Sequence, residues 1–151
     1  MNPIVIVGGG AAGLAAAVFC ARRVGGERVL LLEKQPRVGK KLLATGNGTC
    51  NLSNTAAAVP CYHGNNPAFV SSALSRFTPT DTVSFFESLG VKTEVRENGR
   101  IYPLCAQAAA VLDCLREEAD ALGVETRTDT AVKALRPIKG GVNVQIGRAH
   151  V

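Results

Sequence analysis

The strongest constraint in this chain is a glycine pattern set between a strand and a helix. Ile4-Val5-Ile6-Val7 is a continuous β-branched run, as expected for a strand buried on both faces of a parallel sheet. Gly8-Gly9-Gly10 breaks it, and Ala11 to Arg23 then reads as a helix of small residues ending near Gly25-Gly26. Arg28 to Leu32 reads as a second buried strand closing at Glu33, so the unit has the length of a β-α-β crossover. Within it, Gly8-x-Gly10-x-x-Gly13 gives each glycine a task. Gly8 permits the tight turn out of the strand, Gly10 lets backbone approach a pyrophosphate, and Gly13 lets the helix pack closely on the sheet. Ala11, Ala12 and Gly13 supply the unpaired N–H groups of the helix N-terminus, where a phosphate is favoured. Glu33, past the second strand, is placed to accept hydrogen bonds from ribose hydroxyls. The pattern predicts a dinucleotide site, and the acid disfavours a 2′-phosphate.

Composition narrows the alternatives. With 46% hydrophobic and 19% charged residues, the 151-residue chain has a globular composition and the length of one domain. The net charge of +5 comes without a clustered basic stripe, and there is no Trp, so nucleic-acid binding is not expected. Five cysteines with no C-x-x-C spacing argue against a zinc site and fit reduced thiols in the cytoplasm. No signal peptide or membrane span is expected from the apolar stretches.

Beyond Glu33 the expected fold is α/β: a Rossmann-like parallel sheet with its crossover helix, a helical excursion and a small β-meander. Gln35 to Pro60 lacks any sustained period, and a loop of that length implies a function. Pro67–Phe77, with Asn66 as N-cap, and Pro79–Leu89, with Thr78 as N-cap and Gly90 as stop, read as helices. Gly99–Pro103 reads as a short strand or turn. Ala106–Leu122 reads as a long helix with Val111, Leu112, Leu115, Ala119 and Leu122 on its apolar face. Val124–Thr128, Ala131–Leu135 and Gly141–Ile146 read as short strands, the last two forming a hairpin. One frame of a common short-read sequencing adapter encodes Ile146-Gly147-Arg148-Ala149-His150-Val151. Residues 146–151 are therefore expected to be a non-native tail, with the native sequence continuing past Gln145.

The irregular stretch carries the most specific signal. Glu33-Lys34-Gln35-Pro36-Arg37-Val38-Gly39-Lys40-Lys41 resembles the extended fingerprint of flavoproteins with two dinucleotide-binding domains, an acid followed by x4-V-G-G-R. Lys40 replaces the second glycine and Lys41 the arginine. Lys41-Leu42-Leu43-Ala44-Thr45-Gly46-Asn47-Gly48-Thr49-Cys50-Asn51-Leu52-Ser53-Asn54 resembles the signature of the HI0933-like, or BaiN-like, FAD-dependent oxidoreductases, G-K-K-L-L-x-[ST]-G-[GN]-G-R-C-N-x-[ST]-N, with Thr49 where arginine is usual. Phe85–Val91, Gly99–Pro103 and Ala109–Val124 resemble further motifs of that family in the same order.

The resemblance implies that the chain is the N-terminal part, residues 1–145, of an FAD-binding domain. FAD would be the cofactor, a small organic molecule the substrate and NAD(P)H a candidate electron donor. It implies cofactor contacts from Glu33, Lys34, Lys41, Leu42, Thr45, Gly46, Gly48, Thr49, Cys50 and Asn51, with the loop along the flavin. Val132 is the candidate for an adenine contact through its backbone, an ordinary core valine being the alternative. Cys50 reads more simply as a small buried thiol than as a nucleophile, and neither His63 nor His150 has a partner that suggests catalysis. No catalytic acid or base is assigned, and this stretch alone is expected to be inactive. The competing readings are an NAD-dependent dehydrogenase, whose strands and helices should alternate regularly after Glu33, and a non-catalytic nucleotide-binding or RNA-modification-associated module, which would need a basic or aromatic RNA surface.

Overall fold

The computed structural model describes residues 2–148. The chain divides into two compact units, Met1–Leu42 with Leu115–Val151, and Leu43–Cys114.

The first unit is built on the parallel sheet. Strand β1 (Ile4–Val7) leads through the glycine turn into helix α1 (Ala11–Val24), and β2 (Val29–Leu32) returns parallel to β1, with Ile4 opposite Val29 and Val7 opposite Leu32. Leu14, Ala17, Val18 and Ala21 form the buried stripe of α1, and Val29, Leu31 and Leu32 are buried in β2. Repeats of about three and four residues along a helix put these side chains on one face. The third strand of the sheet is β6 (Glu125–Arg127), parallel to β2, so the order is β1-β2-β6. The expected strand at Val124–Thr128 thus belongs to the parallel sheet and not to a meander. After β6 the chain forms a two-stranded hairpin, β7 (Thr130–Ile138) with β8 (Gly141–Arg148), turning at Lys139-Gly140. Ile146 and Gly147, expected to belong to a tail, pair with Val132 and Ala131. Residues 149–151 lie outside the described range.

A close approach that sequence reading missed holds this unit together at the end of α1. A Cβ on Gly26 would stand 1.9 Å from the carbonyl oxygen of Leu122. Backbone therefore meets backbone there, and only glycine fits.

The second unit carries a small antiparallel sheet, β3 (Ser53–Asn54), β5 (Arg100–Pro103) and β4 (Thr93–Val95), in that order. Helix α3 (Pro79–Ser88) starts as expected at Thr78, with a full capping box: the Asp81 N–H donates to Thr78 Oγ1, and the Thr78 N–H donates to Asp81 Oδ2 at 2.8 Å. Hydrogen bonds from the Thr78 hydroxyl, and secondarily from its backbone N–H, hold the Asp81 carboxyl below its ordinary value of 3.8. A carboxylate with a depressed folded pKa stabilises fully above its unfolded value, and that stabilisation is lost as pH falls through the folded one. The stability difference between wild type and Asp81→Asn is accordingly expected to shrink as pH drops below 3.8. Urea midpoints measured across the acid range check this.

The helix expected over Pro67–Phe77 is divided into a 3₁₀ turn, Pro67–Val70, and α2 (Ser71–Arg76), and Asn66 makes no side-chain cap. Helix α4 (Ala108–Ala121) has Ala108, Val111 and Leu112 buried in the part that clusters with the second unit, and Leu115 and Ala119 in the part that clusters with the first.

Candidate nucleotide-binding site

The turn after β1 places its four glycines in four different environments. Gly8 has φ +101, a left-handed conformation that favours glycine, and its N–H donates to the Leu32 carbonyl at 2.7 Å. A Cβ on Gly9 would lie 2.5 Å from Val38 Cγ1, and one on Gly13 would lie 1.8 Å from the Gly8 carbonyl oxygen. Gly10 differs: its φ of −80 suits any residue, and a Cβ there would meet nothing within 4 Å. No protein contact therefore requires glycine at this position. No side chain caps the α1 N-terminus and its first turn holds no acidic residue, so the partial positive charge at that end faces open space.

Glu33 does more than wait for a ribose. Its Oε2 accepts from the Gly9 N–H at 2.6 Å and its Oε1 from the Gln35 N–H at 2.8 Å. The acid thereby ties the glycine turn to the chain leaving β2, a role for Gly9 and Gln35 that sequence reading missed, although a third adjacent glycine marked the place. Each carboxylate oxygen keeps a lone pair for a further donor. Glu33→Gln would turn an amide NH₂ toward one of these N–H groups. A loss of about 1–3 kcal/mol in unfolding free energy is expected, read from the denaturant midpoint.

The segment after Glu33 folds back onto the turn. Val38 and Gly39 are buried, and the Gly39 N–H donates to the Gly9 carbonyl at 2.7 Å. This is the local reason for valine and glycine in that stretch. Lys40 and Lys41 come next in the chain, both exposed. On the other side, the Thr130 N–H donates to the Glu33 carbonyl at 2.8 Å, which brings the start of β7 alongside. A cavity of about 150 Å³ results, lined by Gly8, Glu33, Lys34, Thr130, Ala131 and Val132 together with Val7 and Leu32. Val132 is half-buried at this cavity and not in the closed core.

Apart from Leu42, the last residue of the first unit's opening stretch, the second unit holds the remaining expected site residues. Leu43 to Gly48 continues a 3₁₀ segment that begins at Leu42 and breaks at Thr45. Gly46 (φ 54, ψ 36) and Asn47 (φ 55, ψ 39) are both left-handed, as are Gly48 (φ 85) and Cys50 (φ 58). Asparagine and glycine tolerate this region, whereas cysteine there is uncommon. The Cys50 N–H donates to the Thr45 carbonyl at 3.1 Å, and the Thr49 N–H to the Gly46 carbonyl at 3.1 Å. Thr49 Oγ1 also donates to the Gly46 carbonyl, so the threonine that stands in place of arginine closes the loop on itself. Thr45, Gly46 and Asn51 are exposed.

Two expected contact residues are buried. Leu42 is 3% exposed and Cys50 is 6% exposed, so both belong to packing. The simpler reading of Cys50 as a buried thiol agrees with this burial. No group of three or more His, Cys, Asp or Glu side chains is arranged for a metal among the described residues. No helix among them is long and apolar enough to cross a membrane.

A parallel β-α-β sheet whose glycine turn leaves an open helix N-terminus beside a carboxylate defines a Rossmann-type nucleotide-binding fold. The chain belongs to the family described as the HI0933-like protein Rossmann domain, which matches residues 2–150. It is 46% identical over 136 residues to the 3-dehydro-bile acid delta(4,6)-reductase of Clostridium scindens, covering 90% of this chain and 33% of that protein. It is 31% identical over 144 residues to a ribosomal RNA dihydrouridine synthase of Haemophilus influenzae, covering 93% of this chain and 34% of that one. The chain thus spans about a third of the length of these relatives. Among solved structures, Thermovibrio ammonificans THI4 shares the fold, with a TM-score of 0.62 at 17% identity, over 98% of this chain and 48% of that one.

Proposed function

We propose that this chain is the FAD-binding portion of a flavin-dependent oxidoreductase acting on a small organic substrate. The observation that carries the reading is the open space above Gly10. Gly9 and Gly13 are glycines because protein atoms press on them, but Gly10 has neither a steric nor a conformational reason within the protein. A pyrophosphate over the α1 N-terminus supplies one. In this reading Gly8, Gly10, Ala11, Ala12 and Gly13 hold the phosphates, Glu33 the ribose, and Lys34 and Val132 border the adenosine cavity. The family resemblance extends the reading to Lys41, Leu42, Thr45, Gly46, Gly48, Thr49, Cys50 and Asn51 along the flavin; of these, Lys41, Thr45, Gly46 and Asn51 are exposed. The flavin, when bound, supplies hydride transfer at its ring. The protein's residues bind and orient it.

The stretch after Glu33 favours FAD over NAD as the resident cofactor. It enters the left-handed loop through Cys50 and the small antiparallel sheet, where a dehydrogenase would continue with regular strand and helix alternation. NAD(P)H enters the reading only as electron donor. A small organic substrate agrees with the name of the 46% identical reductase, whereas the 31% identical relative is named for ribosomal RNA. Residues 146–151 are read as a non-native extension.

The deciding measurement is the absorption spectrum of the full-length protein as purified. Bands near roughly 370 and 450 nm, the region of oxidised flavin, are expected. A colourless protein that takes up NAD⁺ but not added FAD would overturn the proposal. The 151-residue chain is expected to bind FAD weakly or not at all, and to show no turnover.

A further inference from the structure

The second unit carries a surface on β4 and β5 whose side chains the cofactor reading does not use. Along β5 the side chains alternate: Ile101 and Pro103 are buried, while Arg100 and Tyr102 point to the opposite face. Glu94 on β4 lies opposite Tyr102 in the register. Arg96 lays its guanidinium over the Tyr102 ring, 4.5 Å from the centroid, and its Nε donates to Glu94 Oε1 at 2.6 Å. A stacked and paired arginine presents a flat plate whose charge is offset by its carboxylate partner. Arg100, on the same face, is exposed and makes no ion pair among the described residues. Arg96, Arg100 and Tyr102, with Glu97 and Asn98, line an open cavity of about 530 Å³.

The rim of this cavity is fixed. The turn Glu97–Gly99 puts Asn98 (φ 60) and Gly99 (φ 73) in the left-handed region. The Asn54 amide donates to the Asn98 carbonyl at 2.8 Å, and the Arg96 N–H donates to the Arg100 carbonyl at 2.7 Å. The Tyr102 ring edge is 3.4 Å from where a Cβ on Gly46 would stand, so the exposed loop residue Gly46 borders the same face.

We propose that this face binds a flat organic molecule bearing one negative charge, such as a carboxylate. Arg100 pairs with the anionic group, and the Arg96–Tyr102 stack supports the flat body. The charge pattern sets the selectivity. Glu94 offsets Arg96, and Glu97 also lines the cavity, so among the described residues lining it Arg100 is the cation placed to meet a ligand. A second or third negative charge would meet Glu97, which disfavours phosphate dianions and the polyanionic backbone of RNA. The proposal uses no contact to the phosphates or the adenosine, and it meets the FAD reading only at Gly46.

The test is an NMR titration of the 151-residue chain with benzoate, with benzamide, inorganic phosphate and decauridylate as separate arms. Saturable shifts at Tyr102, Asn98 and Gly46 are expected with benzoate and not with benzamide. Arg100→Gln, at an exposed position, is expected to retain the spectrum of the free protein and to weaken benzoate by about tenfold, the loss of one charge-assisted contact. Arg100→Lys should recover part of that affinity. Unchanged benzoate affinity in Arg100→Gln, shifts confined to other residues, absence of benzoate shifts altogether, or tighter binding of phosphate or decauridylate on these residues would each overturn the proposal.

Discussion

Gly13→Ala is expected to lower the unfolding free energy by about 3 kcal/mol or more, or to prevent folding, because the new methyl cannot be accommodated by side-chain rearrangement. Its Cβ would stand 1.8 Å from the carbonyl oxygen of Gly8 and 3.0 Å from the attached carbon. The obstacle is backbone, and that backbone is pinned by the Gly8 N–H bond to Leu32. Relief would require α1 to lift from β1, taking with it the buried stripe of Leu14, Ala17, Val18 and Ala21. For a domain of this size the loss corresponds to roughly a 10 °C fall in thermal midpoint, measurable by circular dichroism. A midpoint within a degree or two of wild type would show that the turn can relax, and that the close helix–sheet approach is not a constraint on this fold.

Gly10→Val should give the opposite pattern. The position is extended, with φ −80 and ψ −174, and its side-chain direction is empty, so the free protein should lose no more than about 1 kcal/mol. The valine methyls would occupy the space above the open helix N-terminus, where phosphate would lie. ADP affinity, measured by calorimetry on the full-length protein stripped of flavin, is expected to fall at least about tenfold. Alanine scanning of the turn would then separate two kinds of glycine three positions apart: one that serves the fold and one that serves the ligand. Equal ADP affinity in wild type and Gly10→Val would sink the assignment of the pyrophosphate to this turn.

The sequence made the first of these distinctions legible only in part. The run Ile4–Val7, the glycine spacing and Glu33 specified β1, α1 and β2 because they act over short range: a β-branched run, a helix of small residues and an acid at a strand end. The α3 capping box was equally readable, since Thr78, Pro79 and Asp81 interact within one turn. The division of Pro67–Phe77 was not. None of the residues in its 3₁₀ turn or in α2 is buried, Phe69 is 82% exposed, and Ser75 Oγ bonds the Ser72 carbonyl, so local preferences were left to compete without a core to arbitrate. Nor could spacing show that Glu125–Arg127 pairs with β2 and leaves a hairpin where a meander was expected, because register between strands so distant in sequence is a tertiary outcome.

The candidate site divides in the same way. The residue types at Gly8, Gly10, Gly13 and Glu33 were chosen by a spacing rule, but the spacing could not tell that Glu33 already holds Gly9 and Gln35. Val132 was nominated with an ordinary core position as the alternative. Its position beside Gly8 and Glu33 depends on the Thr130 bond to the Glu33 carbonyl, which no local pattern encodes. In the loop, glycine and asparagine advertised left-handed backbone, whereas Cys50 did not, and burial of Leu42 and Cys50 came only from packing.

The order β1-β2-β6 leaves β1 at one edge of the parallel sheet among the described residues. Its four residues are all β-branched and uncharged, and Val7 is 52% exposed. Such an edge has no lysine, proline or bulge to discourage a second molecule from adding its own strand. In concentrated solutions of the 151-residue chain, this edge therefore becomes the place where colloidal stability is decided: self-association should begin there, rise with ionic strength as the protein's net positive charge is screened, and be suppressed by Val7→Lys without loss of the folded spectrum.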